Sequence, residues 1–233
     1  MGLIAENIKI IEERILKACL RSGRKREDIT LMAVTKFMPL EAVKEAWDAG
    51  LRCFGESRVQ EAVPKFEAFR PDRSGAELHL IGALQRNKAK TAVVFFDCIQ
   101  SVDRQPLAEE LAKHSSGRSA ALPVLLELRT GEDSKSGFES LDGLFRSVEL
   151  IMACPTLSIH GLMTLAPNTC EEAPVRTAFR KLAAAKRELE NRFRNTGHSF
   201  ACLSMGMSGD FETAIEEGST MLRIGGAIFG DRV

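Results

Sequence analysis

Along the chain, apolar residues recur in two alternating rhythms. The first is helical: Ile4, Ile8, Ile11, Ile15 and Cys19 follow one another at spacings of four, three, four and four, which sets them on one face of a helix ending near Gly23. The second is the short apolar and β-branched run of a buried strand. It appears eight times, at 30–35, 51–55, 77–82, 97–102, 122–128, 157–163, 199–204 and 220–224. Helical patterns fill the intervals. Pro39 suits the first turn of a helix with Leu40, Val43 and Trp47 facing inward and Gly50 at its C-terminal cap. Ser57 with Gln60, and Thr169 with Glu172, have the spacing of capping boxes, and Asp103 is placed to cap the segment 104–114.

Strand–helix alternation without a Pro/Gly/Ser-rich linker predicts a parallel sheet with helical crossovers. Eight such units in 233 residues fit an α/β chain of the (β/α)8 or TIM-barrel class, a single domain over 1–233 with an extra N-terminal helix. The competing architecture is an open doubly wound sheet, marked by a G-x-G-x-x-G turn after the first strand. Here that turn reads TKFMPL.

With 44% hydrophobic and 27% charged residues, the chain has the make-up of a globular protein with a sizeable core. Its 32 basic and 32 acidic side chains cancel, so no overall field draws in nucleic acid or a membrane surface, and any anion site has to be local. No apolar run approaches the roughly 20 residues of a membrane span. The opening MGLIAENIKIIEERIL interleaves charge with apolar residues rather than forming a signal-peptide core. The expectation is a cytoplasmic, monomeric protein. Six cysteines lie apart without a CxxC pair, and four histidines lack i, i+4 partners, which predicts buried free thiols and no metal site.

In such a barrel the reactive groups stand at the C-terminal ends of the strands, and those positions are polar here. Lys36 ends the first strand between Val34 and Phe37. It either snorkels to solvent or, losing hydration, becomes a neutral amine able to attack a carbonyl. The stretches SMGMSGD and RIGG, at the seventh and eighth strands, supply Ser204, Met205, Gly206, Ser208, Gly225 and Gly226. They are either plain turns or the two loops between which barrels bind phosphate. Arg223, on the last strand, is either a rim ion pair or a guanidinium facing a ligand. A Schiff-base lysine, a phosphate cup and an interior arginine together describe a site for a phosphorylated aldehyde, with pyridoxal 5′-phosphate (PLP) the candidate.

The motifs AVTK (33–36), FGESRVQE (54–61), HLIGALQRNK (79–88), SVDR (101–104), GEDSKSGF (131–138), GLMT (161–164), LSMGMSGDF (203–211) and RIGGAIFGDR (223–232) carry a resemblance. In that order they resemble the pyridoxal phosphate homeostasis protein family, also called the YggS/PROSC family, whose barrel is similar to the N-terminal domain of alanine racemase. The resemblance covers nearly the whole chain. It implies that Lys36 holds PLP as a Schiff base, that Ser204, Met205, Gly206, Ser208, Gly225 and Gly226 hold the phosphate, and that Arg223 lies at the pyridine nitrogen. Ser57, His79, Lys135 and Met163 are implied at the periphery. Four positions depart from the family pattern: Ser57 and Arg58 replace asparagine and tyrosine, Ala83 replaces a histidine, and Gly226 replaces a hydroxyl residue, removing a side-chain donor to the phosphate.

Racemase chemistry is disfavoured on three counts. The chain has no tyrosine, the second base of the related racemase. It ends soon after the eighth strand, so the domain that completes the racemase site is expected to be absent. An always-protonated arginine at the pyridine nitrogen also weakens the ring as an electron sink. The sequence therefore predicts a PLP-binding protein that supplies or buffers the cofactor for PLP-dependent apoenzymes with little or no catalysis. Lys135 is read as a second acceptor during loading or release, or simply as a solvated loop lysine. The alternatives are a PLP-dependent racemase or decarboxylase and an aldolase using Lys36 directly on a phosphorylated sugar. A barrel binding RNA or protein through Arg86, Lys88 and Lys90 has only one basic helix behind it.

Overall fold

Helix α1 (Leu3–Ser22) buries Ile4, Ile8, Ile11, Ile15 and Cys19, the stripe its spacing predicts. It stops where Gly23 turns to φ 67° and the N–H groups of Gly23 and Arg24 return to the Leu20 and Cys19 carbonyls. The computed structural model describes residues 2–69, 75–132, 136–194 and 196–230. Within them the strands are β1 (Thr30–Val34), β2 (Cys53–Glu56), β3 (Glu77–Leu80), β4 (Cys98–Val102), β5 (Leu122–Glu127), β6 (Leu157–Met163), β7 (Cys202–Ser204) and β8 (Met221–Ile224). Each pairs in parallel with the next, and β8 pairs with β1, so the sheet closes into the expected barrel. The crossovers are α2 (Leu40–Asp48), α3 (Val59–Phe69), α4 (Ala89–Phe95), α5 (Gln105–His114), α6 (Leu141–Met152), α7 (Glu172–Arg192) and α8 (Phe211–Glu216), with α9 (Gly226–Phe229) after the last strand. None of the described helices is long and apolar enough to cross a membrane.

Side chains alternate across each strand. Those pointing outward, among them Ala33, Phe54, Leu78, Ile99, Val124, Ile159 and Leu222, join the apolar faces of the helices in the main core. Those pointing inward fill the barrel as two smaller clusters, Met32 with Cys53 and Met221, and Cys98 with Leu125 and Met163. Helix α1 lies against α2, α8 and α9, outside the seam where the last strand meets the first.

The predicted caps are where the structure differs. α3 begins at Val59 and its first accepting carbonyl is Arg58, so the box read at Ser57 is one residue out of register. The Thr169 hydroxyl accepts from the Glu171 N–H (3.1 Å) instead of capping α7, and Asp103 takes the Arg104 guanidinium (2.5 Å) while Arg104 stands at the N-cap of α5. Short polar side chains satisfy turn donors as readily as helix donors, so spacing alone does not separate the two uses. Ser140, not predicted, does cap α6, accepting from Gly143 N–H at 3.3 Å.

Candidate functional site

At the end of β1 the chain makes a tight turn, with the Met38 N–H returning to the Thr35 carbonyl (3.0 Å). Lys36 and Phe37 are its central residues, and Phe37 adopts φ 65°. A bulky residue in the left-handed region stores about 1–3 kcal/mol of strain and persists only where its surroundings fix it. Here they do. Lys65, reaching in from α3, donates to the Thr35 carbonyl and to Glu56 Oε1 (both 2.8 Å), and the Thr35 hydroxyl donates to the same carboxylate oxygen (2.7 Å). Glu56 is fully buried, and its Oε2 has no hydrogen-bond partner among the described residues. The Arg58 guanidinium lies 5.5 Å from the centre of the Phe37 ring. The strand-end position of Glu56 is visible in the sequence, but Lys65 is not, because no fixed spacing links a crossover helix to the strand it braces.

Lys36, Gly225 and Gly226 line one small recess of about 50 Å³, closed by Val34, Met38 and Phe229. The two glycine-bearing loops also meet: Ser208 Oγ accepts the Ala227 N–H at 3.2 Å. Gly206 holds φ 98°, and a Cβ there would lie 2.6 Å from the Ala214 side chain, so both backbone and space require glycine. Gly226 has no such constraint, since a Cβ would meet nothing within 4 Å among the described residues. Met205 is fully buried and spends its N–H on the Met221 carbonyl (3.1 Å), which places it in the core.

Arg223 stands inside the barrel, only 4% exposed. It donates to the Ser204 carbonyl (2.5 Å) and hydroxyl (2.7 Å) and to the Thr164 carbonyl (2.7 Å). The Ser204 hydroxyl in turn donates to Gln100 Oε1 (2.6 Å), and Gln100 Nε2 lies 2.8 Å from His79 Nδ1. A line of hydrogen bonds thus runs through the barrel from Arg223 to His79. Burial pulls the Arg223 pKa down to about 10, with Glu127 opposing, so the guanidinium is charged at neutral pH. Burial pushes the Glu127 carboxyl up, against a hydrogen bond from Ser136 (2.8 Å) and the charge of Arg223. Sequence reasoning missed Glu127, although an acid ending the apolar run LPVLLE is the same signal that singled out Lys36.

The remaining predicted positions scatter. Ser57 lines a groove of about 420 Å³ with Arg58, Ala83 and Lys88, between the β2–α3 and β3–α4 connections. His79 and Met163 are not brought to the Lys36 recess. His79 faces a cavity at the opposite end, one layer below Ile81, and Met163 is fully buried against Cys98 and Leu125. Lys135 lies outside the described residues.

A closed eight-stranded barrel with a lysine and a glycine pair at its C-terminal mouth places the chain in the alanine racemase N-terminal-domain class, whose model (Alanine racemase, N-terminal domain) matches residues 4–233. Alanine racemase from E. faecalis shares the fold with a TM-score of 0.70 at 17% identity, and the chain covers 59% of that protein. PipY of Synechococcus elongatus PCC7942, solved with PLP bound, is nearer: TM-score 0.83, 34% identity, 97% of this chain and 100% of that one. The pyridoxal phosphate homeostasis protein of Vibrio cholerae is 40% identical over 235 residues, covering 100% of this chain and 98% of the relative. The chain belongs to the pyridoxal phosphate homeostasis protein family.

Proposed function

We propose that this protein binds PLP at the C-terminal mouth of its barrel, with the cofactor's aldehyde carried covalently by the Lys36 amine, and that it holds the cofactor in the cytoplasm for PLP-dependent apoenzymes rather than using it for catalysis. The observation that carries this reading is the shared recess: Lys36 and the pair Gly225–Gly226 come from opposite ends of the chain to line one space. The bound cofactor supplies an aldehyde that condenses reversibly with an amine, releasing water.

The residues present fit that group. Gly226 leaves open room where a phosphate needs close backbone approach, and the Ser208–Ala227 hydrogen bond keeps the two loops together. The Glu56–Lys65 brace fixes the turn that orients Lys36. Arg223 stays charged, which matches a pyridine nitrogen left unprotonated and so a ring with little power to stabilise a carbanion. With no tyrosine in the chain, the second proton carrier of a racemase has no counterpart. The PLP-bound relative and the homeostasis role in the names of the curated relatives support the same reading.

The test is titration of the full chain with PLP, followed by borohydride reduction and peptide mapping. The expected result is a shift in the cofactor's visible absorbance and a mass increase on the peptide containing Lys36, both lost in Lys36→Ala. An unchanged band in Lys36→Ala overturns the assignment of the amine. Turnover of an amino acid at an ordinary enzymatic rate, on the order of 1 s⁻¹ or more, overturns the non-catalytic reading.

A further inference from the structure

The N-terminal end of the barrel, opposite Lys36, carries a second group of chemically versatile side chains. Cys53 opens β2 and pairs in register with Glu77, which opens β3; His79 follows two residues later on the same face. His79 Nε2 lies 3.2 Å from Glu77 Oε2 and 4.0 Å from Cys53 Sγ, and the three ligand atoms fall within 4.8 Å of one another. Around a tetrahedral zinc ion, with bonds of about 2.0–2.3 Å, ligand atoms sit roughly 3–4 Å apart. Small side-chain adjustments close this set.

The surroundings point the same way. Gln100 Nε2 lies 2.8 Å from His79 Nδ1, so a turn of that amide puts its oxygen where the Nδ1–H of a metal-bound imidazole needs an acceptor. Glu77 and His79 border a cavity of about 540 Å³, which gives an entry path and room for a water as fourth ligand. The donor set itself, a cysteine sulfur and an imidazole nitrogen beside one carboxylate, favours soft or borderline ions over Mg²⁺ or Ca²⁺. The plain alternative is a packed polar cluster in which the Glu77–His79 contact is the whole of the chemistry.

We propose that Cys53, Glu77 and His79 form a binding site for a zinc-class divalent cation, with its fourth position open to the cavity at the base of the barrel. Burial holds the Cys53 thiol protonated, so the incoming ion displaces that proton to solvent. The His79 proton moves to Nδ1 and Gln100 turns over, so that its amide oxygen leaves the Ser204 hydroxyl to accept from Nδ1–H while its Nε2 donates to the Ser204 oxygen. Sequence spacing conceals the site because its ligands sit on neighbouring strands. None of the three ligands lines the Lys36 recess.

The experiment is titration of the reduced, metal-free full chain with Co²⁺ as a spectroscopic stand-in, then displacement by Zn²⁺. One Co²⁺ per chain is expected, with a sulfur-to-cobalt charge-transfer band in the near ultraviolet and the intense visible bands of four-coordination. Cys53→Ser should remove the charge-transfer band. Glu77→Gln, at a largely exposed side chain whose replacement leaves the fold intact, should weaken binding about tenfold or more. Cys170→Ser, at an exposed thiol, should change neither. Absence of the band, or a band and affinity unaltered in both Cys53→Ser and Glu77→Gln, overturns the proposal.

Discussion

At its C-terminal mouth the barrel sets Lys36 beside Gly225 and Gly226 in a recess of about 50 Å³; at its N-terminal mouth Glu77, His79 and Gln100 border about 540 Å³. Only the second falls in the ~300–1,000 Å³ range usual for small-molecule pockets. Volume would therefore direct attention to the base of the barrel, and strand direction directs it to the top, where the βα loops gather polar groups and backbone N–H donors. The difference teaches that room and chemistry have separate causes. The lower cavity mixes polar side chains (Glu77, His79, Gln100) with thiols and apolar groups, whereas the small upper recess lies between two segments that polar contacts hold from behind: Lys65 on Glu56 and Thr35, and Ser208 on Ala227. One buried line, Arg223 to Ser204 to Gln100 to His79, joins the two ends.

The strongest way to break this comparison is to remove the upper brace. Lys65→Ala leaves the fully buried Glu56 carboxylate without its cation and takes one of two donors, Lys65 and the Met38 N–H, from the Thr35 carbonyl. Breaking a buried ion pair costs about 3–5 kcal/mol, to be read by urea denaturation at neutral pH. The double variant Lys65→Met, Glu56→Gln should recover much of that loss, because no unpaired charge remains. A single-variant loss below about 1 kcal/mol, the range of surface pairs, would mean that packing rather than the ion pair holds the Lys36 turn.

The brace also shows what a sequence can and cannot display. Eight strands were legible because each is a short run rich in apolar and β-branched residues, and the barrel followed from their number and alternation with helices. Lys36, Gly225 and Gly226 were legible as candidates because they stand at strand ends, Lys36 between apolar neighbours and the glycines in a small-residue loop. Lys65, Gln100 and the Cys53–Glu77–His79 set were not, since each acts on a residue of another strand through a side chain whose direction only the closed sheet defines. His79 is the instructive case: a polar residue near a strand end reads as part of the mouth, yet Ile81 follows just past the end of β3 and His79 borders the cavity at the other end of the barrel.

A smaller change should sharpen the upper site. Gly226 has open space around its absent side chain, so Gly226→Thr adds a hydroxyl without a clash. One further hydrogen bond to the phosphate is worth about 0.5–1.5 kcal/mol, and PLP titration should show affinity rising by roughly three- to tenfold. Gly225→Ser is the contrasting variant. Its Cβ would press on the Val34 carbonyl at 3.3 Å, and it should weaken binding. Equal effects from the two would mean that the recess is not where the phosphate lies.

The smallest expected effect concerns how the upper loops are held from outside. Helix α8, which directly follows the 204–210 loop, is gripped by Arg14 on Glu212 (2.9 Å) and Arg21 on Glu216 (3.2 Å) from α1, and by Arg176 of α7 on Glu216 (2.7 Å) and Glu217 (2.6 Å). Hydrogen bonding from Arg176, reinforced by Arg21 against the opposing effect of burial, holds the Glu216 carboxyl below the usual carboxylate range. Its folded pKa is thus lower than the unfolded value of about 4.3. The unfolded chain binds more protons between the two, so the contribution is fully present above pH ~4.3 and is lost as pH falls through the folded pKa. Glu216→Gln should cost about 0.5–1 kcal/mol at pH 7 and low salt, and its deficit should close as the solution is acidified and shrink as salt is added. Denaturation midpoints of the two proteins between neutral and acid pH measure this. A deficit that stays constant with pH would mean that α8 is seated by packing, and the charge bracing of the upper end would then rest on the Glu56–Lys65 pair.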